Sequence, residues 1–328
     1  MGVPSARLAG PIANARHVPH RTRRRQSSPL LLRTALVIAL VTTLACGAFA
    51  LVEWGGTTVA TAGTSPLSAA PTAAPTQVLL PGLETGACVS LAPTRAGSSQ
   101  TVFVDAGHGG IDPGVVGGTS ARRVLEKDAA LAVATRLSTL LRADGYRVVM
   151  ARIQDSAVAK LSPTDSVMGS LTGTAEHRDL VMRTTCANAA GAVALVSIHF
   201  DAYSDPAVGG TGTFYNSTRT FATENRRLAV DLQAAMVAAL GTPDRGVWTD
   251  DQIATPTLTT SGSAYGHLIE LGPMSVGWVD EPSTMPGALV EPLFLTNHAE
   301  AELASSEAGL QQIALALETG LVKFLSGG

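Results

Sequence analysis

The pattern of apolar and polar positions after residue 100 divides the chain into short apolar runs and longer amphipathic segments. Apolar runs at 101–105 and 147–151 predict buried strands. Between them, residues 126–142 have apolar side chains at helical spacing, and Gly145 ends that segment. The order strand, glycine loop, helix, strand predicts an α/β domain with a largely parallel sheet.

The pattern continues to the C terminus. Apolar runs at 192–198, 212–215, 267–271 and 288–290 predict further strands, and helical spacing at 175–190, 220–240 and 307–325 predicts further helices. We therefore expect a single α/β domain over residues 98–328, with a mostly parallel central sheet and helices on both faces. Residues 154–174 and 242–263 have no clear period. The loops within 154–174 and 242–286 are open to several interpretations: a gate, a recognition surface or simple insertions.

The first 97 residues have a different character. Residues 1–33 contain seven arginines and no acid, and residues 34–52 contain no charge. This order predicts a basic cytoplasmic terminus followed by a transmembrane signal anchor or a cleaved signal peptide. Residues 53–97 are rich in Ala, Thr, Pro and Ser, which predicts a disordered linker. The remaining chain should then be extracytoplasmic, either membrane-anchored or secreted to the cell wall.

Charge and cysteine content indicate which binding partners and which covalent cross-link to expect. With seven of the 23 Lys and Arg in the basic terminus, 16 remain against 26 Asp and Glu, a net charge near minus ten. Nucleic acid is therefore an unfavourable partner, and nothing in the sequence requires more than a monomer. Outside the cytoplasm, Cys88 and Cys186 are expected to form a disulfide. The alternative is two separate buried thiols.

Three residues are candidates for one metal centre. His108 lies in a glycine-rich turn directly after the strand at 101–105, and His199 follows the strand at 192–198. Strand ends of an α/β sheet meet at one edge, so both imidazoles should lie there. Glu126 opens the first helix, where an acid also complements the helix dipole. Two His and one Glu form a known catalytic zinc set, although each residue also has an ordinary structural interpretation.

Hydrolysis at such a centre needs a base that takes a proton from the attacking water. Glu291 and Glu270 each follow an apolar run, as a carboxylate at the end of a strand would. The residue pattern alone does not choose between them. Two His residues four apart on one helix, the signature of thermolysin-like peptidases, do not occur in this sequence.

Four segments of the chain resemble motifs of the zinc-dependent N-acetylmuramoyl-L-alanine amidases of the third amidase family, the cell-wall amidases. They occur in the same order in this sequence: Asp105-Ala106-Gly107-His108-Gly109-Gly110, Leu125-Glu126-Lys127-Asp128, Arg183 with Ser197-Ile198-His199, and Glu291 with Phe294, Thr296 and Asn297. The resemblance implies that His108, Glu126 and His199 bind Zn²⁺ and that Glu291 is the base. It also implies hydrolysis of the amide between N-acetylmuramic acid and L-alanine in peptidoglycan.

Two departures from the family pattern keep alternatives open. Asp201 stands where the family usually has Asn, and Leu293 stands where it usually has Gly. A displaced base would give a weak or inactive peptidoglycan-binding protein, and it keeps Glu270 as the alternative base. A zinc peptidase that cuts elsewhere in the stem peptide is the third hypothesis.

Overall fold

The computed structural model describes residues 73–252 and 265–327. The predicted basic terminus, the predicted membrane span at 34–52 and the linker up to residue 72 lie outside the described residues. Within the described ranges, no helix combines the length and apolar composition that crossing a bilayer requires.

A mixed sheet forms the centre of the domain. In the described residues it has eight strands in the spatial order β1-β2-β6-β3-β9-β12-β10-β11. Their bounds are β1 Thr76–Gln77, β2 Ala87–Leu91, β3 Thr101–Ala106, β6 Arg147–Arg152, β9 Ala194–Ile198, β10 Thr211–Tyr215, β11 Asp244–Thr249 and β12 Gly287–Glu291. The four central strands, β6, β3, β9 and β12, are parallel to one another, as predicted, whereas β2 and β10 run antiparallel to β6 and β12.

Helices cover both faces of the sheet. Their bounds are α1 Glu126–Ala143, α2 Gly173–Ala189, α3 Ala222–Leu240, α4 His298–Ser305 and α5 Glu307–Leu325. Two small hairpins lie outside the central sheet: β4 Val116–Gly118 with β5 Arg123–Leu125, and β7 Ser166–Val167 with β8 Ser170–Leu171.

The two faces of the sheet bury alternate residues of each strand. Val102 and Val104 of β3 face the larger core, which contains side chains from α1, α3, α4 and α5. Phe103 faces the opposite core, which contains Cys186 and Ala187 of α2. Because both faces are buried, the central strands are apolar at nearly every position, which is why they appear as continuous apolar runs in the sequence.

The structure differs from the predicted elements at two places. Residues 267–271 form a buried turn, not a strand: the carbonyl of Leu268 accepts hydrogen bonds from the backbone amides of Leu271 and Gly272. A short apolar run does not distinguish a buried turn from a strand. The edge strand β11 falls in a segment predicted to be irregular. Its side chains are mostly exposed or half-buried, so it lacks a hydrophobic signal.

The predicted linker ends earlier than residue 97. Strand β2 pairs with β6 and has buried residues, including Val89 and Leu91. Cys88 forms the predicted disulfide with Cys186, with 5.7 Å between the two Cα atoms. This cross-link and the pairing with β6 hold a segment whose composition alone suggested disorder.

Candidate metal centre and catalytic cleft

The carboxyl ends of three neighbouring strands carry the candidate residues. Strands β3, β9 and β12 are adjacent and parallel. His108 lies two residues beyond the end of β3, His199 directly follows β9, and Glu291 ends β12. The backbone amide of His199 donates to the carbonyl of Val290, 3.0 Å away. The parallel sheet therefore brings together residues that are far apart in the sequence.

The three predicted ligands direct one atom each at a common point. His108 Nε2 lies 3.0 Å from Glu126 Oε1, His199 Nδ1 lies 3.0 Å from the same oxygen, and the two imidazole nitrogens are 3.1 Å apart. All three side chains are largely buried. Two imidazole nitrogens this close to each other and to a carboxylate have the spacing of ligands around a single cation.

His108 is fixed in an uncommon backbone conformation. Its φ is +61°, in the left-handed region that costs a non-glycine residue about 1–3 kcal/mol. Its Nδ1 forms a 2.6 Å hydrogen bond with Asp112 Oδ2. Burial lowers the pKa of His108, but the hydrogen bonds to Asp112 and Glu126 outweigh it and raise the pKa to about 10. The carboxylate of Asp112 orients the ring so that Nε2 faces the centre.

Glu126 uses its two oxygens differently. Oε2 accepts a hydrogen bond from the backbone amide of Val115 at 2.7 Å, and Oε1 accepts one from the amide of Phe200 at 2.9 Å. Burial raises the pKa of Glu126, yet the hydrogen bonds and charges of His108 and His199 lower it far below its usual range. The carboxylate is thus held ionised, with Oε1 facing both imidazoles.

Two buried arginines hold the backbone under the centre. Arg183 in α2 donates to the carbonyls of Ala106 and His108 at 2.9 and 2.7 Å. Arg152, at the end of β6, donates to the carbonyls of Ala106 and Gly107 at 2.9 and 2.8 Å. Asp105 and Asp179 balance the charge of Arg183, at 2.5 and 2.9 Å. These bonds fix the strand-end turn on which His108 stands.

Two glycines are required for the close approach of the ligands. A Cβ at Gly107 would lie 2.4 Å from the His199 ring, and a Cβ at Gly114 would lie 2.6 Å from both Glu126 Oε2 and His108 Cδ2. These distances are too short for any side chain. The glycines of the predicted motif therefore allow His199 and Glu126 to reach the same point as His108.

The donor set fits a divalent zinc ion. Zinc binds His nitrogen and carboxylate oxygen at about 2.0–2.2 Å, and three ligand atoms about 3 Å apart match bonds of that length. Asp105, His199 and Glu270 form a second group of possible ligands. However, Asp105 is paired with Arg183, and one Ser197 hydroxyl lies 2.8 Å from Asp105 and 2.9 Å from Glu270. The positive charge of Arg183 makes this second group the poorer cation site.

Glu291 lies beside the centre and keeps one oxygen free. Its Oε2 is buried and has no hydrogen-bond partner among the described residues. Burial raises the pKa of Glu291 well above its usual range, and the negative charges of Glu126 and Asp201 raise it further. A carboxyl group without a structural partner beside a cation site is suited to exchange protons with a substrate.

Glu270 has a different environment. It lies in the buried turn at 267–271, not at the end of a strand as predicted, and its Oε2 is bridged to Asp105 through the Ser197 hydroxyl. It is 4 % exposed. Burial raises its pKa well above the usual range, with the charge of Asp105 adding to the rise. The structure therefore places Glu270 in the interior network behind His199.

A cavity opens next to Glu291. It has a volume of about 480 Å³ and is lined by residues that include Asp201, Tyr203, Arg245, Trp248 and Glu291. A volume of this size accommodates a small ligand or one or two residues of a larger one. The cavity forms a cleft large enough for a small ligand at the carboxyl edge of the sheet.

Comparison with known proteins identifies the family to which this geometry belongs. Residues 102–323 match the Amidase_3 family, described as N-acetylmuramoyl-L-alanine amidase. The chain belongs to the Amidase_3 family. The resemblance inferred from the four motifs is thereby confirmed.

Relatives and a solved structure agree with this assignment. The N-acetylmuramoyl-L-alanine amidases AmiC of Neisseria meningitidis and LytC of Bacillus subtilis are 30% and 29% identical to the chain, over 71% and 69% of its length. The matched regions span 54% and 35% of those two relatives. The structure of the CwlD amidase from Clostridioides difficile, in complex with the GerS lipoprotein, covers 70% of this chain and 100% of its own, with 26% identity and a TM-score of 0.55.

In this Amidase_3 domain, each residue of the final motif has a different structural role. Glu291 lines the cavity, and Asn297 caps α4 by accepting from the amides of Ala299 and Glu300. Thr296 accepts from the amide of Tyr203, which ties the loop after His199 to the motif. The departure at Leu293 is accommodated in the core, where this side chain is fully buried.

Sequence reasoning missed two arginines of the Amidase_3 site. The only sequence feature that pointed to Arg152 is its position at the end of a predicted buried strand. A charged residue there must either pair with another group or reach solvent. Arg245 lies on the unpredicted edge strand β11, and no sequence pattern pointed to it.

Proposed function

We propose that the domain hydrolyses the amide bond between N-acetylmuramic acid and L-alanine in peptidoglycan. In this proposal His108, Glu126 and His199 hold a catalytic zinc ion, and Glu291 is the general base. The convergence of three ligand atoms within 3.1 Å of one another, beside a buried and unpartnered carboxyl group, is the observation that supports it most. Membership of the Amidase_3 family supplies the bond that is cut.

Each protein residue has a defined part in the reaction. When bound, the zinc ion would polarise the scissile carbonyl and make water more acidic. Glu291 removes a proton from the attacking water as the new C–O bond forms. It then returns a proton to the alanine nitrogen as the C–N bond breaks. His108, with its Nδ1 held by Asp112, keeps Nε2 directed at the centre throughout.

The raised pKa of Glu291 suits this double role. Burial and the nearby charges of Glu126 and Asp201 favour its protonated form. A positive ion at the three-ligand centre would act in the opposite direction and lower the pKa again. A carboxyl group whose pKa lies near the working pH both accepts and donates protons readily.

The location of the protein follows from its substrate. Peptidoglycan lies outside the cytoplasm, which agrees with the predicted extracytoplasmic location. The segment at 34–52 would act either as an anchor or as a cleaved signal peptide. We propose a monomer that acts on the cell wall, with the membrane contacted only through that segment.

Mass spectrometry of digested muropeptides tests the proposed function. Zinc-loaded protein should release the intact stem peptide with a free alanine amino group. Glu291→Gln should lower the rate by about 10²- to 10⁴-fold, while Glu302→Gln, an exposed control, should not change it. Cleavage at another bond would identify a peptidase. Binding to peptidoglycan without cleavage would identify a binding protein.

A further inference from the structure

The cleft next to Glu291 contains a cation, Arg245, that feels the charges of Asp201 and Glu300 but forms no close ion pair among the described residues. Arg245 lines the same cavity as Glu291, on the edge strand β11. The ion pairs of the described residues use other arginines, and none of them includes Arg245. Its side chain also donates no hydrogen bond within the part of the chain that the structure describes. A solvated guanidinium in a substrate cleft is available for a ligand.

The guanidinium of Arg245 is nevertheless held in position. Its Cζ lies 4.8 Å from the centre of the Phe294 ring, and this ring is buried. The stem of the side chain passes over Gly210 and Gly212, where a Cβ would lie 3.0 and 3.9 Å from it. Stacking on an aromatic ring pre-orients the planar fork of an arginine and reduces the entropy lost when it binds a carboxylate.

An aromatic side chain stands beside this cation. Trp248 donates from Nε1 to the carbonyl of Arg245 at 2.7 Å, and it is 47 % exposed. Tyr203, which lines the same cavity, is 56 % exposed. Exposed aromatic side chains in a cleft provide flat contact surfaces for a ligand. Arg245 is thus part of a binding surface that continues from the base Glu291.

The chemistry of the proposed substrate indicates which part meets Arg245. The carboxyl group of the muramic acid lactyl arm is consumed in the scissile amide, so the sugar next to the bond is neutral. Alanine has no charge either. The first carboxylate of the substrate belongs to the residue that follows the alanine, which is acidic in the stem peptide. An arginine prefers this group over a neutral one because it can form two charge-assisted hydrogen bonds with it.

We propose that Arg245 binds the carboxylate of the residue after the alanine and makes the enzyme selective for stem peptides in which that carboxylate is free. This inference depends on the proposed function. It assigns Arg245 to the peptide side of the cleft and predicts that the neutral carboxamide form of the same residue is a poor substrate.

The test uses two muropeptides that differ only in a free carboxylate or a carboxamide at that residue. The parent protein should have a kcat/KM about 10- to 100-fold higher on the carboxylate form, the range expected for a charge-assisted hydrogen bond. Arg245→Met keeps the stem of the side chain and removes the charge. In this variant kcat/KM should decrease for the carboxylate form and stay the same for the carboxamide form, so the preference is lost. Arg245→Lys should restore part of the preference.

Arg226→Met is the matched control, because Arg226 is exposed on α3 and does not line the cavity. It should retain the preference. Two results would overturn the inference but leave the amidase proposal intact. The parent protein could cleave both muropeptides equally, or kcat/KM of Arg245→Met could decrease equally for both. A zinc-loaded parent that cleaves neither overturns the amidase proposal, and the inference with it.

Discussion

The two sides of the catalytic edge differ in how their polar groups are satisfied. On the ligand side, nearly every charged group has a partner: Asp112 orients His108, two backbone amides hold Glu126, and Arg183 is paired with two aspartates. On the cavity side, among the described residues, Glu291 Oε2 has no hydrogen-bond partner and Arg245 forms no close ion pair. The difference indicates that the first side maintains geometry while the second is reserved for the substrate.

Removing Arg183 should have the largest effect on the ligand side. Arg183→Met would leave Asp105 and Asp179 buried without their shared counter-charge and should cost about 3–5 kcal/mol of unfolding free energy. Urea denaturation measures this. Arg178→Met is the control on the same helix, since the Arg178 pair with Asp165 is partly exposed and contributes little to stability. Equal losses in the two variants would show that the buried pairing has no special role.

Changing Asp112 should weaken metal binding with a smaller effect on folding. In Asp112→Asn the side-chain amide would face His108 Nδ1 and favour the tautomer with a proton on Nε2, the atom needed for the metal. Zinc affinity, measured by competition with a chelator, should fall about 10- to 100-fold. Asp205→Asn is the matched control because Asp205 also accepts from an amide two residues on. Unchanged affinity in Asp112→Asn would contradict this role.

Glu270 should give the most pH-dependent effect. Its raised pKa means that the folded state holds a proton that the unfolded chain releases above about pH 4.3. The parent therefore loses stability as pH rises from there towards the folded pKa. Relative to the parent, Glu270→Gln should gain up to about 1.4 kcal/mol per pH unit in that window. Denaturation at pH 5 and pH 8 tests this, with exposed Glu302→Gln as control. A stability difference independent of pH would contradict it.

The sequence predicted the features that depend on local pattern. The apolar runs of β3, β6 and β9 are buried on both faces, and the glycines around His108 allow close packing, so both left a clear signal. The proximity of His108 and His199 was predictable because parallel strands end at one edge. The cysteine pair was predictable because few cysteines were available.

Other features have no local signal because long-range packing creates them. Glu270 and Glu291 both follow apolar runs, so the sequence does not distinguish them. In the structure the turn at 267–271 places Glu270 in the interior, whereas Glu291 lies at the cleft. Arg245 becomes part of the cleft because β11 pairs with β10, and the exposed residues of an edge strand do not reveal this pairing. The boundary near residue 97 was wrong because a disulfide and one strand pairing hold β2.

The most direct test of the metal centre is anomalous X-ray diffraction at the zinc edge from crystals of the zinc-loaded protein. We predict one strong peak, within about 2.0–2.2 Å of His108 Nε2, Glu126 Oε1 and His199 Nδ1, with Glu291 beside it and not bound to it. A peak at the second group, Asp105, His199 and Glu270, or no peak at all, would contradict the assignment.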